Sequence, residues 1–413
     1  MDAARYRSRL SRSTAILIAS NAGGAGLSFL LSALIGRALG EDGLGVYAVA
    51  TAWSFSVSLL VEFGLGTLMT REITRDLVQI DTAASRYLNA VALARILIGG
   101  AWMLLLVAAA PLLSDDPRVV TGIQVSAPLV IIVPYFTSFT AVLRAQNRMT
   151  PILWLNIGML TAQVLLTALV FAAGGGVILA LIVNVVTSAG QLIAAWSIYR
   201  WGNHYAGRDR EALRPLLRRA LPFALAALFA LLQLRVSALL LERLVGASEV
   251  GYFTAANRFL DAVRLIPNAF YGAFFPTLTA LAADRPLLQR TFHQAMLALG
   301  GFGLVSAMGL ILFASWLIPI AFGAGFDPAV GVLQVLAASL VFALLRGGRT
   351  LYWYALGREG YVNLINGLVI GIQIALSLWL IPERGALGAA LVHVAVEVLA
   401  LALLWKPLIG RRA

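Results

Sequence analysis

Long apolar runs separated by short polar stretches dominate the chain. The first, Ile16 to Gly36 (ILIASNAGGAGLSFLLSALIG), extends 21 residues without a charge. That is about the length that crosses the hydrocarbon core of a bilayer as an α-helix. Breaks at turn residues and charges divide the sequence into twelve such segments. They are predicted as helices over 13–36, 44–69, 88–112, 119–142, 150–173, 176–199, 216–242, 251–281, 293–319, 329–355, 361–382 and 385–408. Composition agrees, since 60% of the 413 residues are hydrophobic and 12% charged, where a soluble domain carries roughly 25% charged residues. The expected fold is all-α: a polytopic membrane protein of about 12 transmembrane helices. The basic start, MDAARYRSRLSRSTA, is read as the flank of an uncleaved first helix, because the apolar run after it is too long for a signal peptide.

Charge orients these helices. The N-terminus, 70–87, 143–149, 200–215, 282–292, 346–360 and the C-terminus, with flanking Arg218 and Arg219, hold 23 of the 31 Lys and Arg. The opposite loops hold Arg37, Arg118, Arg243 and Arg384, outnumbered there by acids. The positive-inside rule then puts both termini in the cytoplasm. The net charge of +12 follows from topology, which leaves no reason to invoke nucleic acid. The midpoint loop 200–219, RWGNHYAGRDREALRPLLRR, reads as a solvated connector, or as a contact for anionic lipids.

The two halves resemble each other. GRALGEDGLGVYAVA at 36–50 aligns with ERLVGASEVGYFTAA at 242–256, pairing Arg37 with Arg243, Gly40 with Gly246 and Gly45 with Gly251 at an offset of 206. At 210, Arg148 pairs with Arg358, Asn156 with Asn366 and Gln163 with Gln373; at 209, Gly176 pairs with Gly385 and Trp196 with Trp405. The chain is therefore expected to form two six-helix lobes, 1–207 and 208–413, around a central cavity. Six is even, so the lobes share one orientation, as in alternating-access transporters whose substrate site lies between lobes near the midplane.

The block from Arg37 to Asp76 carries a denser signature. Arg37, Leu39, Gly40, Leu44, Gly45 and Tyr47, then Gly64, Leu65, Arg71 and Glu72, follow R-x-L-G-x-x-x-[FL]-G-x-Y and G-L-x-x-x-x-x-R-E. In this the chain resembles the bacterial polysaccharide (O-antigen-type) lipid-linked oligosaccharide flippases. These belong to the multidrug/oligosaccharidyl-lipid/polysaccharide exporter superfamily. The resemblance implies a polyprenyl-diphosphate-linked oligosaccharide substrate, a cavity lined by helices 1, 2, 7 and 8, membrane lipids and other polysaccharide-assembly proteins as partners, and residence in the bacterial inner membrane. In physical terms the motif glycines permit a tight turn and close helix approach, and Arg37 is expected to offset the C-terminal dipole of its own helix.

Ionisable groups inside the spans carry the candidate chemistry. They are Glu62, Arg95, Arg235, Arg258, Asp261, Arg264, His393 and Glu397. A charge at the bilayer centre costs about 2.5–3.5 kcal/mol even on lenient scales, so each should face protein or water. Within AANRFLDAVRLIPN at 255–268, Arg258, Asp261 and Arg264 occupy one face of a helix. Asp261 can neutralise one arginine at i,i+3, leaving net positive charge. Guanidinium forks suit phosphate oxygens, so Arg235, Arg258 and Arg264, with Gln233, Asn257 and Asn21, form the candidate substrate site. The bland alternative has Arg258 reaching outward and Arg264 pairing only with Asp261. Asp261, Glu62 and Glu397 are candidate ion-coupling carboxylates, with interhelical pairing as the alternative. Arg95, near a helix end, is expected to snorkel. Pro267 and Pro276 are expected to kink their helix, and Gly23, Gly24 and Gly26 allow the first helix to bend or to pack closely.

The sequence narrows the competing functions. There is no cysteine, and His204, His293 and His393 lack metal-ligand spacing, so neither metal nor cofactor is expected. A drug/cation antiporter of the same superfamily commonly uses an acid in helix 1, where this chain offers only Asn21. The stretch TREITRDLVQIDTAASR lacks the G-x-x-x-D-R-x-G-R-R pattern of major-facilitator carriers. A polysaccharide polymerase or ligase would present a large external loop, and none is expected. No nucleotide-binding G-x-x-x-x-G-K-[ST] occurs. A non-enzymatic transporter driven by an ion, potential or substrate gradient is the expectation.

Overall fold

The structure is a computed structural model that describes residues 3–62, 80–202 and 235–405, with 65, 66, 69 and 73 between the first two stretches. Apart from a 3-10 turn at Ala324–Phe326, every regular element among them is an α-helix. In order these are α1 (Ala3–Glu62), α2 (Ile80–Leu113), α3 (Pro117–Ser126), α4 (Leu129–Ala145), α5 (Met149–Ala172), α6 (Val177–Gly202), α7 (Ala247–Ala280), α8 (Arg285–Phe322), α9 (Pro328–Ala355) and α10 (Glu359–Trp405). A further helical segment, 235–244, precedes α7.

Among the described residues eight helices are long and apolar enough to cross a bilayer. Two of them, within α1 and α10, are 44 and 47 residues long, about twice what one crossing needs. Each is two helices joined at a glycine of positive φ, Gly40 (+70°) and Gly385 (+53°). α7 is not among the eight, since Glu249, Arg258, Asp261 and Arg264 interrupt its apolar face. With α7 and the segment ending at 244 added, the layout matches the expected dozen crossings. The chain is an all-helical, multi-pass membrane protein.

The described residues fall into two compact units, 3–34 with 46–202 and 35–45 with 235–405. The expected lobe boundary at 207/208 lies outside them. In the first unit Leu65, Met69, Phe139, Val142, Leu143, Ile152 and Leu155 form a buried core. Its buried amides are satisfied: Gln163 donates to the Tyr47 hydroxyl at 2.9 Å and Gln191 to the Asn156 carbonyl oxygen at 3.1 Å. Gly23 lies where a methyl group would press on Ile157, so this glycine serves close packing with α5. In the second unit Trp353, Val362, Ile365, Val369, Val392 and Val396 join α9 to both halves of α10. The last carbonyls of α10 have no partner within the helix. Arg349 and the Trp353 indole donate to Leu404, and the Tyr361 hydroxyl donates to Leu403. The Arg349 guanidinium also lies 4.8–5.5 Å from the ring centres of Phe292, Tyr352, Trp353 and Trp405.

The internal repeat appears as repeated backbone conformation. After α4, the amides of Asn147 and Arg148 donate to Arg144 and Leu143; after α9, those of Gly357 and Arg358 donate to Tyr354 and Trp353. These are the same helix-ending motif 210 residues apart, with positive φ at Asn147 and Gly357. Gly385 also has positive φ (+53°), as does Gly174 (+79°), two residues before the Gly176 that sequence alignment pairs with it.

Around Gly40 and Gly246 the repeat becomes a contact. A methyl group on Gly45 would overlap the carbonyl oxygen of Ala247, and one on Gly251 would overlap that of Glu41. Ala247 and Glu41 are themselves equivalent at the offset of 206, so the two turns dock reciprocally. Between them Ser248 donates to Asp42, a residue bonding to its own equivalent. Arg37, just before the Gly40 break that ends its own helix, directs its hydrogen bonds to another element. It donates to the carbonyls of Ile320 and Ala321 in the last turn of α8, where it does the same electrostatic work for a different element.

Gly45→Ala and Gly251→Ala should each lower thermal stability by about 1–3 kcal/mol, the usual range for overpacking. Because both break one interface, the double variant should cost less than the sum. Gly158→Ala, with open space at the same atom, serves as the neutral control, all measured by thermal unfolding in detergent.

Candidate functional site

α7 starts at Gly246 (φ +126°) and keeps helical dihedrals through Pro267 and Pro276, so neither proline breaks the helix. Its polar residues divide into two groups. In the first, Arg258 Nη1 is 3.6 Å from Asp261 Oδ2, with side chains 31% and 41% exposed. Asn257 Nδ2 donates to Asp261 Oδ1 at 3.5 Å. Arg235, half-buried on 235–244, lies within electrostatic reach of both Arg258 and Asp261. This group thus gathers two guanidiniums and one carboxylate. Gln233, expected beside them, lies outside the described residues.

The second group lies further along the same helix. Arg264 does not pair with Asp261, whose arginine partner is Arg258. Its Nη2 instead meets His393 Nε2 on α10 at 3.3 Å. One turn on from His393, Glu397 is buried and held by Arg346 of α9. Arg346 Nη2 donates to Oε1 at 3.1 Å, while Nε sits 2.6 Å from Oε2 without hydrogen-bond alignment. Tyr271 of α7 donates to the Leu344 carbonyl at 2.6 Å and fits beside Arg346 because position 347 is glycine, where a Cβ would strike the tyrosine ring. Five ionisable side chains from three helices therefore share one neighbourhood.

The remaining sequence candidates belong to the other unit. Asn21 is exposed and Glu62 half-buried. Arg95 does not snorkel. It is 1% exposed, and its Nη1 donates to Thr137 Oγ1 at 3.1 Å and Ser138 Oγ at 2.5 Å. Its Nε and Nη2 have no hydrogen-bond partner among the described residues, and Glu62 is within electrostatic reach. A guanidinium can be kept from the interface when hydroxyls and a carboxylate replace its water.

Sequence reasoning missed Arg346 and His393. Arg346 lies where the predicted helix 329–355 overlaps the basic stretch 346–360, and the structure puts it inside the helix, which runs on to Ala355. The signal available was RGGRTLYWYA: small residues and aromatics fit helix packing at a membrane interface better than a solvated turn. His393 was set aside for want of metal spacing, yet it precedes Glu397 by four residues and so shares its helix face.

The comparisons accord with this architecture. Among solved structures, the lipid II flippase MurJ in an inward closed conformation aligns with TM-score 0.77 at 16% identity, covering 92% of this chain and 84% of that one. An inward-facing multidrug resistance MATE family transporter of the MOP superfamily aligns with TM-score 0.75 at 15% identity, covering 94% and 92%. A MOP superfamily transporter from Pyrococcus furiosus aligns with TM-score 0.69 at 14% identity, covering 95% and 94%. For that protein, reverse polarity of the binding pocket is taken to indicate a different function. At such identities these matches establish the fold alone. Among curated proteins none matches. Residues 10–282 match the family described as polysaccharide biosynthesis protein; that stretch holds the glycine turns, the paired α4 and the α7 arginines, and this chain belongs to that family.

Proposed function

We propose that the protein is a flippase. It moves a polyprenyl-diphosphate-linked oligosaccharide from the cytoplasmic to the external leaflet of the bacterial inner membrane by alternating access, for polysaccharide assembly, without covalent chemistry. Family membership and the transporter fold support the class. The observation that carries the anionic substrate is charge: apart from Glu242, Arg243 and Glu249, which flank the Gly246 turn, 235–244 and α7 hold Arg235, Arg258 and Arg264 against one carboxylate, Asp261. The Arg346–Glu397 pair cancels itself and does not reduce this excess. Bidentate guanidiniums in a partly dehydrated setting are the side chains that best replace water around a diphosphate. Arg264 serves as the principal contact, with Arg258 and Arg235 assisting, and Gln233, Asn257 and Asn21 offer hydrogen bonds to sugar. Multidrug exporters share the fold, but this excess of positive charge disfavours a cationic cargo.

Of the three carboxylates, Glu397 is 4% exposed and bound by two arginine nitrogens, which suits a lock. Glu62 lies within electrostatic reach of the buried Arg95. Asp261, at 41% exposure, is the one best able to exchange its arginine for a coupling cation.

Deleting the gene should trap lipid-linked oligosaccharide on the cytoplasmic leaflet. Normal surface glycan in a strain without a redundant exporter would refute the reading. Orientation is tested independently because the chain has no cysteine. A cysteine at Asp327 should react with external impermeant reagent and one at Arg285 should not.

Arg264→Ala should reduce export roughly ten- to hundredfold, the loss of one or two charge-assisted hydrogen bonds. Arg264→Lys should recover part of it, since lysine lacks the fork. Asp261→Ala should lose export and should not be rescued by Arg258→Ala, its partner in the structure; rescue by that change would make the pair a structural lock and refute both roles. Export is read as lipid-linked oligosaccharide reaching the external leaflet at matched protein levels.

A further inference from the structure

We infer that His393 is a positioning residue that holds Arg264 when neutral and releases it when protonated, so that a proton and an anionic head group are bound cooperatively. The inference deepens the flippase reading and rests on it for the identity of the anion.

A guanidinium only donates hydrogen bonds. The 3.3 Å contact between Arg264 Nη2 and His393 Nε2 therefore requires a lone pair on Nε2, with the ring proton on Nδ1. Protonation puts an N–H on Nε2, opposes donor to donor, and places two positive charges side by side. The contact then cannot persist. Arg264 is the group with freedom to leave: its side chain is half-buried, whereas His393 stands on a helix fixed through the Arg346–Glu397 pair one turn away.

The other charged and titratable groups around the imidazole support this assignment. Arg346 on α9 and Glu397 on α10 both act on His393 electrostatically, but they are paired and largely cancel. Tyr271 on α7 is anchored to the Leu344 carbonyl and is satisfied as a neutral phenol. That leaves Arg264 as the uncompensated charge whose position the ring controls. A freed Arg264 adds positive charge and an unoccupied fork to the α7 face that holds Arg258. By linkage, whatever favours anion binding there must equally favour the proton.

Two measurements on the full-length chain in detergent micelles test this. The first uses isotope-labelled histidine and nuclear magnetic resonance. Only three histidines occur, and His393→Gln identifies the signal. In Arg264→Ala the protonated fraction of His393 at a given pH should rise. An unmoved titration overturns the inference.

The second uses farnesyl diphosphate as probe, with affinity measured between about pH 4 and 8, a window that reaches below the ordinary imidazole range because His393 is half-buried. The unaltered chain should bind roughly tenfold more tightly at the acidic end, a size typical of coupling between sites. His393→Gln, which keeps an acceptor near Nε2 but cannot be protonated, should flatten the profile at the weak level. His393→Ala, which leaves Arg264 free, should flatten it at the tight level. Binding without pH dependence in the unaltered chain, or an unchanged pH slope in His393→Gln, overturns the inference. A probe that fails to bind at any pH, with the histidine titration still responding to Arg264→Ala, overturns the diphosphate reading and leaves the His393–Arg264 link standing.

Discussion

In hydrocarbon no water is available to complete a hydrogen bond, and the rest of this structure follows from that deficit. It makes the chain helical wherever it crosses. It also decides how the chain treats the charges it keeps. Arg95 is wrapped by Thr137 and Ser138, Glu397 by Arg346, Asp261 by Arg258 and Asn257, and Arg264 by His393. The same demand reaches the helix ends. Arg37 serves the last carbonyls of α8, and Arg349, Trp353 and Tyr361 serve those of α10. Long polar side chains are spent where the backbone runs out of partners.

These pairings are not equivalent. The Arg346–Glu397 contact is a buried ion pair with one aligned hydrogen bond, which suits a fixed strut. Asp261 and Arg258 are both substantially exposed and 3.6 Å apart, a geometry worth little as stability and easily exchanged for another ion. The Arg264–His393 contact joins a permanent cation to a ring that can change its charge. A graded series from rigid to exchangeable is what a transporter needs, because a site that binds too well cannot release.

Much of this was legible in the sequence, and the reasons are physical. Apolar run length reports crossings directly, so the segments and the loops between them could be placed from hydropathy and charge. The repeat was legible because glycines needed for positive φ or close approach, such as Gly40 and Gly246, tolerate no substitute. Helical spacing alone put Arg258, Asp261 and Arg264 on one helix, but not the division by which Arg258 takes Asp261 and Arg264 takes His393. Partners across helices were not legible. Nothing in local spacing says that Arg264 faces His393, 129 residues away, or that Arg37 reaches α8 instead of its own helix end. Arg95 misled because depth along a helix was taken to decide the matter, when the hydroxyls of a neighbouring helix decided it. Arg346 was not singled out because its charge counts equally well toward the basic end of the predicted helix 329–355, and nothing local says that Gly347 and Gly348 make room beside it for Tyr271 and Met296.

The reciprocal docking of the two glycine turns has a consequence for how the halves could diverge. A half-length chain meeting a copy of itself in this way would form a symmetric pair, in which each contact is made twice and only a residue on the axis meets its own duplicate. At the centre that rule would set Asp42 against another Asp42, carboxylate against carboxylate. Joining both copies in one chain lifts the constraint, and the equivalent of Asp42 is Ser248, whose hydroxyl donates to it. Fusion thus turns a self-repelling position into a hydrogen bond, and permits one half to gather arginines on α7 that the other does not carry.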